Sequence, residues 1–248
     1  MGTNKLMAIA ILLCIMLFAG CSSESMTSSM PSSDEQNQST DSEGTLNLSV
    51  GSFTQEITPM SAKSRAEGKL GDTFSQLDVA LIPTDGKGSV HKLSQSRSEN
   101  LEQFGKVSMR IPVGSYKLIA VASTLRGKSV DIVSATEIDF PDNKVVNNAF
   151  LCKDIVIKAG NNEISEELTR TVSLLQIAST DDRLADAKFV DVILKGNCSN
   201  KLNPTTGLPV EGSTEDIVRS LDTSNEPTQM TRPLSIYCFL GSTNEELV

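Results

Sequence analysis

Past its first 44 residues the chain runs in short segments where apolar and polar side chains alternate, the period of half-buried strands. Leu46, Leu48 and Val50 alternate with Asn47 and Ser49. Leu77, Val79 and Leu81 repeat the pattern, which Pro83 and Asp85-Gly86 end. Val107, Met109 and Ile111 lead to Pro112-Val113-Gly114, and Tyr116, Leu118, Ala120 and Ala122 then share one face of a strand. Further strands are expected over Val130–Val133, Lys153–Lys158, Thr171–Ile177, Phe189–Leu194 and Leu234–Leu240. Helical pattern is scarce. Ser98–Phe104, with Leu101 and Phe104 inward, and Asn143–Leu151 are the two short candidates. Turn residues separate the strands at the intervals of an all-β sandwich.

This pattern assigns residues 45–196 to an N-terminal β-sandwich domain. Residues 197–228 carry Asn, Pro, Thr, Gly and Ser with little periodicity and read as a long connection. The last 52 residues, 197–248, bury too little surface for a second sandwich of their own. They either complete the first domain or begin a second one.

The first 44 residues obey another logic. Lys5 precedes Leu6–Ala19, an unbroken run of fourteen apolar residues. A membrane-spanning helix needs roughly 20. The run ends in Leu17-Phe18-Ala19-Gly20-Cys21, which resembles a bacterial lipobox, with Phe18 in place of the usual aliphatic residue. Residues 1–20 are thus expected to be a lipoprotein signal peptide, and Cys21 the lipidated N-terminus of the mature chain. More than one acyl chain, at ~0.8 kcal/mol per buried methylene, makes such an anchor stable. Of the twenty-three residues 22–44, nine are Ser, five are acidic and none is basic. A segment so poor in apolar surface stays unfolded, so residues 21–44 form a lipidated, flexible tether.

Charge narrows the partners. Removing residues 1–20 leaves 21 basic against 31 acidic side chains, a net charge of −10. Nucleic acid, which demands clustered Lys and Arg, is not an expected partner. Cys152, Cys198 and Cys238 remain beyond the anchor, an odd number with no CxxC pair. One disulfide and buried free thiols are both open.

Catalysis finds little to work with. His91 is the sole histidine, in the polar stretch Ser89-Val90-His91-Lys92, and no GxSxG elbow occurs. Gly127-Lys128-Ser129 lacks the earlier glycine of a phosphate loop, with Ala122 in its place. Asp181-Asp182 reads as a β-turn pair of solvated carboxylates, not a metal or acid/base pair, and Glu166-Glu167 and Glu245-Glu246 read the same way. No metal site and no cofactor is expected. Carbohydrate platforms generally use Trp and Tyr faces. This chain has no Trp and only Tyr116 and Tyr237, with Tyr116 on the expected core face.

An ordered series of motifs behind the lipobox resembles the fimbrillins and the fimbrial anchor or tip subunits of type V pili, lipoprotein pilins of Gram-negative anaerobes. The series covers roughly residues 44–240 and begins with Gly44-Thr45-Leu46-Asn47-Leu48 and Ser64-Arg65-Ala66. It continues through Ile111-Pro112-Val113-Gly114-Ser115-Tyr116-Lys117-Leu118 and Ile155–Asn162. Leu168-Thr169-Arg170-Thr171-Val172 and Lys201–Gly207 complete it. The resemblance implies transthyretin-like antiparallel β-sandwich domains, of which the second is represented only by its beginning, around Pro233–Leu240. It implies a structural subunit of a cell-surface fimbrium with no enzymatic activity, held on the outer membrane by lipid on Cys21 and supporting adhesion to an unidentified ligand.

The resemblance further implies proteolytic processing between Arg65 and Ala66, in a loop expected over Glu56–Gly71. The strand bearing Leu46, Leu48 and Val50 would then leave, and a strand from another subunit would fill the groove. A solvated loop charge is the plain alternative for Arg65. A non-polymerising anchor of the same family, or a surface glycan-binding lipoprotein, are the alternatives for the whole chain.

Overall fold

The computed structural model describes residues 42–57, 64–177, 188–196, 198–213, 216–222 and 234–240. They are nearly all strand. In chain order these are β1 (Glu43–Ile57), β2 (Ser64–Lys69), β3 (Gln76–Pro83), β4 (His91–Ser96), β5 (Lys106–Pro112) and β6 (Gly114–Ser123). Then come β7 (Asp131–Ser134), β8 (Glu137–Asp139), β9 (Asn148–Ile157), β10 (Gly160–Arg170), β11 (Ser173–Ile177) and β12 (Phe189–Leu194). The last are β13 (Cys198–Ser199), β14 (Lys201–Asn203), β15 (Leu208–Pro209), β16 (Ile217–Asp222) and β17 (Leu234–Leu240). A single helical turn, α1 (Leu70–Thr73), and a 3-10 turn at Pro141–Asn143 are the helical pieces among the described residues.

One large sheet runs β2-β1-β10-β9-β6-β3-β4, with β5 also paired to β1. It curls, so that Leu46, Leu48 and Val50 of β1 share one core with Leu77, Val79 and Leu81 of β3 and Leu118 of β6. The same two central strands are covered on their other face. Ala80, Ile119 and Val121 pack there with Ile132, Ile138 and Leu202 of a smaller sheet ordered β15-β14-β8-β7. That double burial explains why Leu118 to Ser123 is buried at every position. The all-β sandwich is thus built around β3, β6 and β9. A third, smaller cluster joins Cys198, Ile217, Ile236 and Cys238.

Several expectations need correction. The sandwich is not wholly antiparallel, because β1 runs parallel to β10 from Gly44↔Gly160 to Gln55↔Arg170. Ser98–Phe104 forms turns, with Leu101 67% exposed while Phe104 packs on the first core. Asn148–Leu151 belongs to β9: Ala149 faces the first core and Phe150 the second, so its apolar run marks a strand buried on both faces. Glu56–Gly71 is not a plain loop, since β2 pairs back onto β1 within it.

Candidate functional site

The sequence points to the first strand, and the fold places it between neighbours on both edges. On one side β10 accompanies it in parallel. On the other, β5 pairs with its first half, from Glu43↔Pro112 to Ser49↔Lys106, and β2 with its second, from Ser52↔Lys69 to Ile57↔Ser64. Leu46, Leu48 and Val50 all point into the first core, between 0 and 2% exposed. A register shift between Val50 and Phe53 then changes the inward parity. Phe53 turns inward as a result and meets the ring of Phe74 edge-on, with centroids 4.9 Å apart. Alternation alone could not reveal Phe53 as a core residue, because the bulge resets the period.

Two glycines bring backbone close against this strand. A Cβ on Gly44 would lie 2.1 Å from the Lys158 carbonyl oxygen and 2.9 Å from Ile157 Cγ2. Gly105 has φ +92, and a Cβ there would sit 2.2 Å from the Val50 carbonyl oxygen. The close approach permits Val50 N–H to donate to the Gly105 carbonyl at 2.8 Å. Asn162 secures the other flank. Its Oδ1 accepts from Lys158 N–H at 2.9 Å, and its Nδ2 donates to the Lys158 carbonyl at 2.8 Å.

The outward face of the strand is polar and cross-linked. Ser108 Oγ donates to Asn47 Oδ1, and Asn47 Nδ2 donates to Glu163 Oε1, both at 2.8 Å, so one rung spans β5, β1 and β10. Near the far end Arg170 Nη1 donates to Gln55 Oε1 at 2.6 Å. Apolar inside and hydrogen-bonded outside, β1 is held as a central strand would be.

Arg65 and Ala66 lie in β2, opposite Glu56 and Gln55 of β1. Cys21, the signal residues 1–20 and Asp181-Asp182 and Glu245-Glu246 lie outside the described residues. The other acidic pair is dispersed, Glu166 bonded to Lys153 Nζ and Glu167 accepting from Ser52 Oγ at 3.3 Å. His91, on β4, has its ring 6.3 Å from that of Tyr116. Tyr116 itself is buried, and its hydroxyl donates to the Pro112 carbonyl at 2.9 Å. Its face therefore offers no open sugar platform. Among the described residues no group of three or more His, Cys, Asp and Glu side chains could hold a metal ion, and no helix is long and apolar enough to cross a membrane.

No family model matches the sequence, and comparison with curated proteins gives no match. Among solved structures the chain is similar to a candidate polysaccharide-binding protein from Bacteroides thetaiotaomicron, with TM-score 0.48 and 11% identity over 79% of this chain and 71% of that one. It is also similar to a candidate adhesin from Bacteroides ovatus, with TM-score 0.49 and 11% identity over 81% of this chain and 70% of that one. A fimbrial assembly protein from Parabacteroides distasonis gives TM-score 0.33 and 13% identity over 79% and 77% of the respective chains.

Proposed function

We propose that this chain is a structural, adhesive subunit of a cell-surface fimbrium, without catalytic activity, exported as a lipoprotein and held on the outer membrane by lipid on Cys21. Its partners are other fimbrial subunits, joined by exchange of the first strand. One observation carries the reading: β1 has a paired neighbour on each edge and contributes Leu46, Leu48, Val50 and Phe53 to the main core. Burying each such side chain contributes roughly 1.5–3 kcal/mol. A sheet that loses this strand exposes an apolar groove whose two flanks, β10 and β5, present open backbone donors and acceptors. Only another strand with alternating apolar residues restores both the burial and the hydrogen bonds.

Cleavage after Arg65 is the proposed trigger. It would divide the chain within β2, leaving β1 in the N-terminal piece, held to the rest by pairing and core packing with no covalent link. Limited trypsin on the folded protein is expected to cut first at Arg65. The nicked protein should then bind a peptide of alternating apolar residues that the intact protein ignores, and Arg65→Ala should block processing in cells. A surface protein whose N-terminus is still lipidated Cys21, with β1 uncut, would overturn strand exchange in favour of an anchor that keeps its own first strand.

A further inference from the structure

Two of the three cysteines beyond the anchor meet at the opposite end of the chain. Cys198 pairs with Leu240 and Ser199 with Phe239, antiparallel, where β13 lies along β17. Side chains alternate across a strand, so Cys238, two residues before Leu240, falls on the same face as Cys198. Both are buried in the third cluster, packed with Ile217 and Ile236. The two side chains thus share one strand face and one buried cluster. Cys152 is elsewhere, on β9, with its sulfur 3.9 Å from Thr205 Oγ1.

We propose that Cys198 and Cys238 form a disulfide that clasps β17 to β13, while Cys152 stays a free thiol. A diagonal pair in a long regular ladder sits near the limit of bridging reach. Here the β13–β17 ladder is only two residue pairs long, so little pairing holds β13 against the small shift that closes the bond. The oxidant is a disulfide-carrying exchange partner, a small-molecule disulfide or a periplasmic thiol oxidase. One cysteine thiolate attacks that disulfide and expels a thiolate. The second cysteine then attacks the mixed disulfide, forming the S–S bond and expelling the other thiolate. Two cysteine thiols are oxidised, two protons leave, and the donor disulfide is reduced to two thiols. Burial, reinforced by the neighbouring Cys198, pushes the Cys238 thiol well above its ordinary range. The folded pair is therefore a poor thiolate source, and the bond forms while the strands are still open.

In cells the bond rests on the export reading, because a cytoplasmic chain is kept reduced. Two arms separate these claims. In the first, the purified full chain is unfolded, reduced and refolded in a mixture of oxidised and reduced glutathione. Free thiols are then alkylated in denaturant without reductant, and the digest is mapped by mass spectrometry. The expected result is one linked peptide pair containing Cys198 and Cys238, an alkylated Cys152, and a melting temperature about 10 °C above the reduced protein. Cys198 and Cys238 both alkylated, or a bridge through Cys152, would overturn the pairing. Cys152→Ser should leave the bridge intact, whereas Cys198→Ser should leave Cys238 open to alkylation. The wild-type map decides the matter even where a variant fails to fold. The second arm maps protein taken directly from cells. A bridge there supports both readings; a bridge after refolding but reduced thiols in cells overturns export and leaves the pairing standing.

Discussion

The first and last described strands, β1 and β17, are paired on both edges yet differently held. β1 runs for fifteen residues and meets β10 over most of its length. Its inward side chains join the largest cluster among the described residues, shared with five other strands of the same sheet. β17 is seven residues long, with five pairs to β11 and two to β13. Its two faces are divided. Phe239 enters the second cluster, with its ring 5.6 Å from that of Phe140, while Ile236 and Cys238 enter the third. Strand pairing alone does not measure how firmly a strand is kept. β1 is secured by one long face in a broad core, and β17 by a few equally buried side chains divided between two smaller clusters.

The largest effect should come from a charge at the centre of β1. Leu48→Asp would bury a carboxylate among Leu46, Val107 and Leu118 with nothing to neutralise it, at several kcal/mol. No folded monomer should survive, and circular dichroism should show the strand signal lost. A folded Leu48→Asp protein would mean that β1 does not hold the core together.

Truncations sharpen the contrast. Leu48→Ala should cost about 3–5 kcal/mol, because the tightly packed surroundings cannot collapse into the void. Ile236→Ala should cost nearer 2 kcal/mol, since the third cluster is small and Val192 and Leu194 at its margin can shift inward. Equal losses in urea titrations of the two variants would erase the distinction between a strand in a broad core and one in a small cluster. Below these comes Gly44→Ala. Its new methyl would meet the Lys158 carbonyl at 2.1 Å, so the start of β1 must move away from the β9–β10 turn at about 1–3 kcal/mol. Faster hydrogen exchange at residues 44–48 should accompany the loss.

The same contrast sets what was legible in the amino-acid pattern. Leu46–Val50, Leu77–Leu81 and Tyr116–Ala122 announced themselves, because each keeps an unbroken apolar face toward one core. β10 stayed hidden: Ile164 and Leu168 are its only aliphatic side chains amid Asn, Glu, Ser and Thr, although it is the partner on which β1 depends. β2 and β4 lie at the ends of the large sheet and are correspondingly polar. Asn143–Leu151 resembled a helix because continuous apolar runs carry no period that separates a doubly buried strand from a helix. Two features could not be read from local pattern at all. One is the parallel registry of β1 with β10, and the other the meeting of Cys198 with Cys238, both set by long-range packing.

The smallest effect tests the outer surface of the sheet that β1 helps to close. Lys117 of β6 faces Asp154 of β9 directly across the ladder, and its Nζ lies 2.7 Å from Asp154 Oδ1. The hydrogen bond to Asp154 raises the Lys117 pKa above its ordinary 10.5, with burial opposing and the charges of Cys152 and Asp154 assisting. A lysine whose folded pKa exceeds its unfolded one contributes stability that is fully present below the unfolded value and is lost as pH rises through the folded one. Asp154 is largely exposed, so Asp154→Asn should cost no more than about 1 kcal/mol at pH 7. Wild type and variant should therefore differ slightly in melting temperature at neutral pH and converge once the pH passes well above 10.5. A gap that persists in strong alkali would assign the loss to packing along β6 and β9, and would place this pair with the buried contacts of β1.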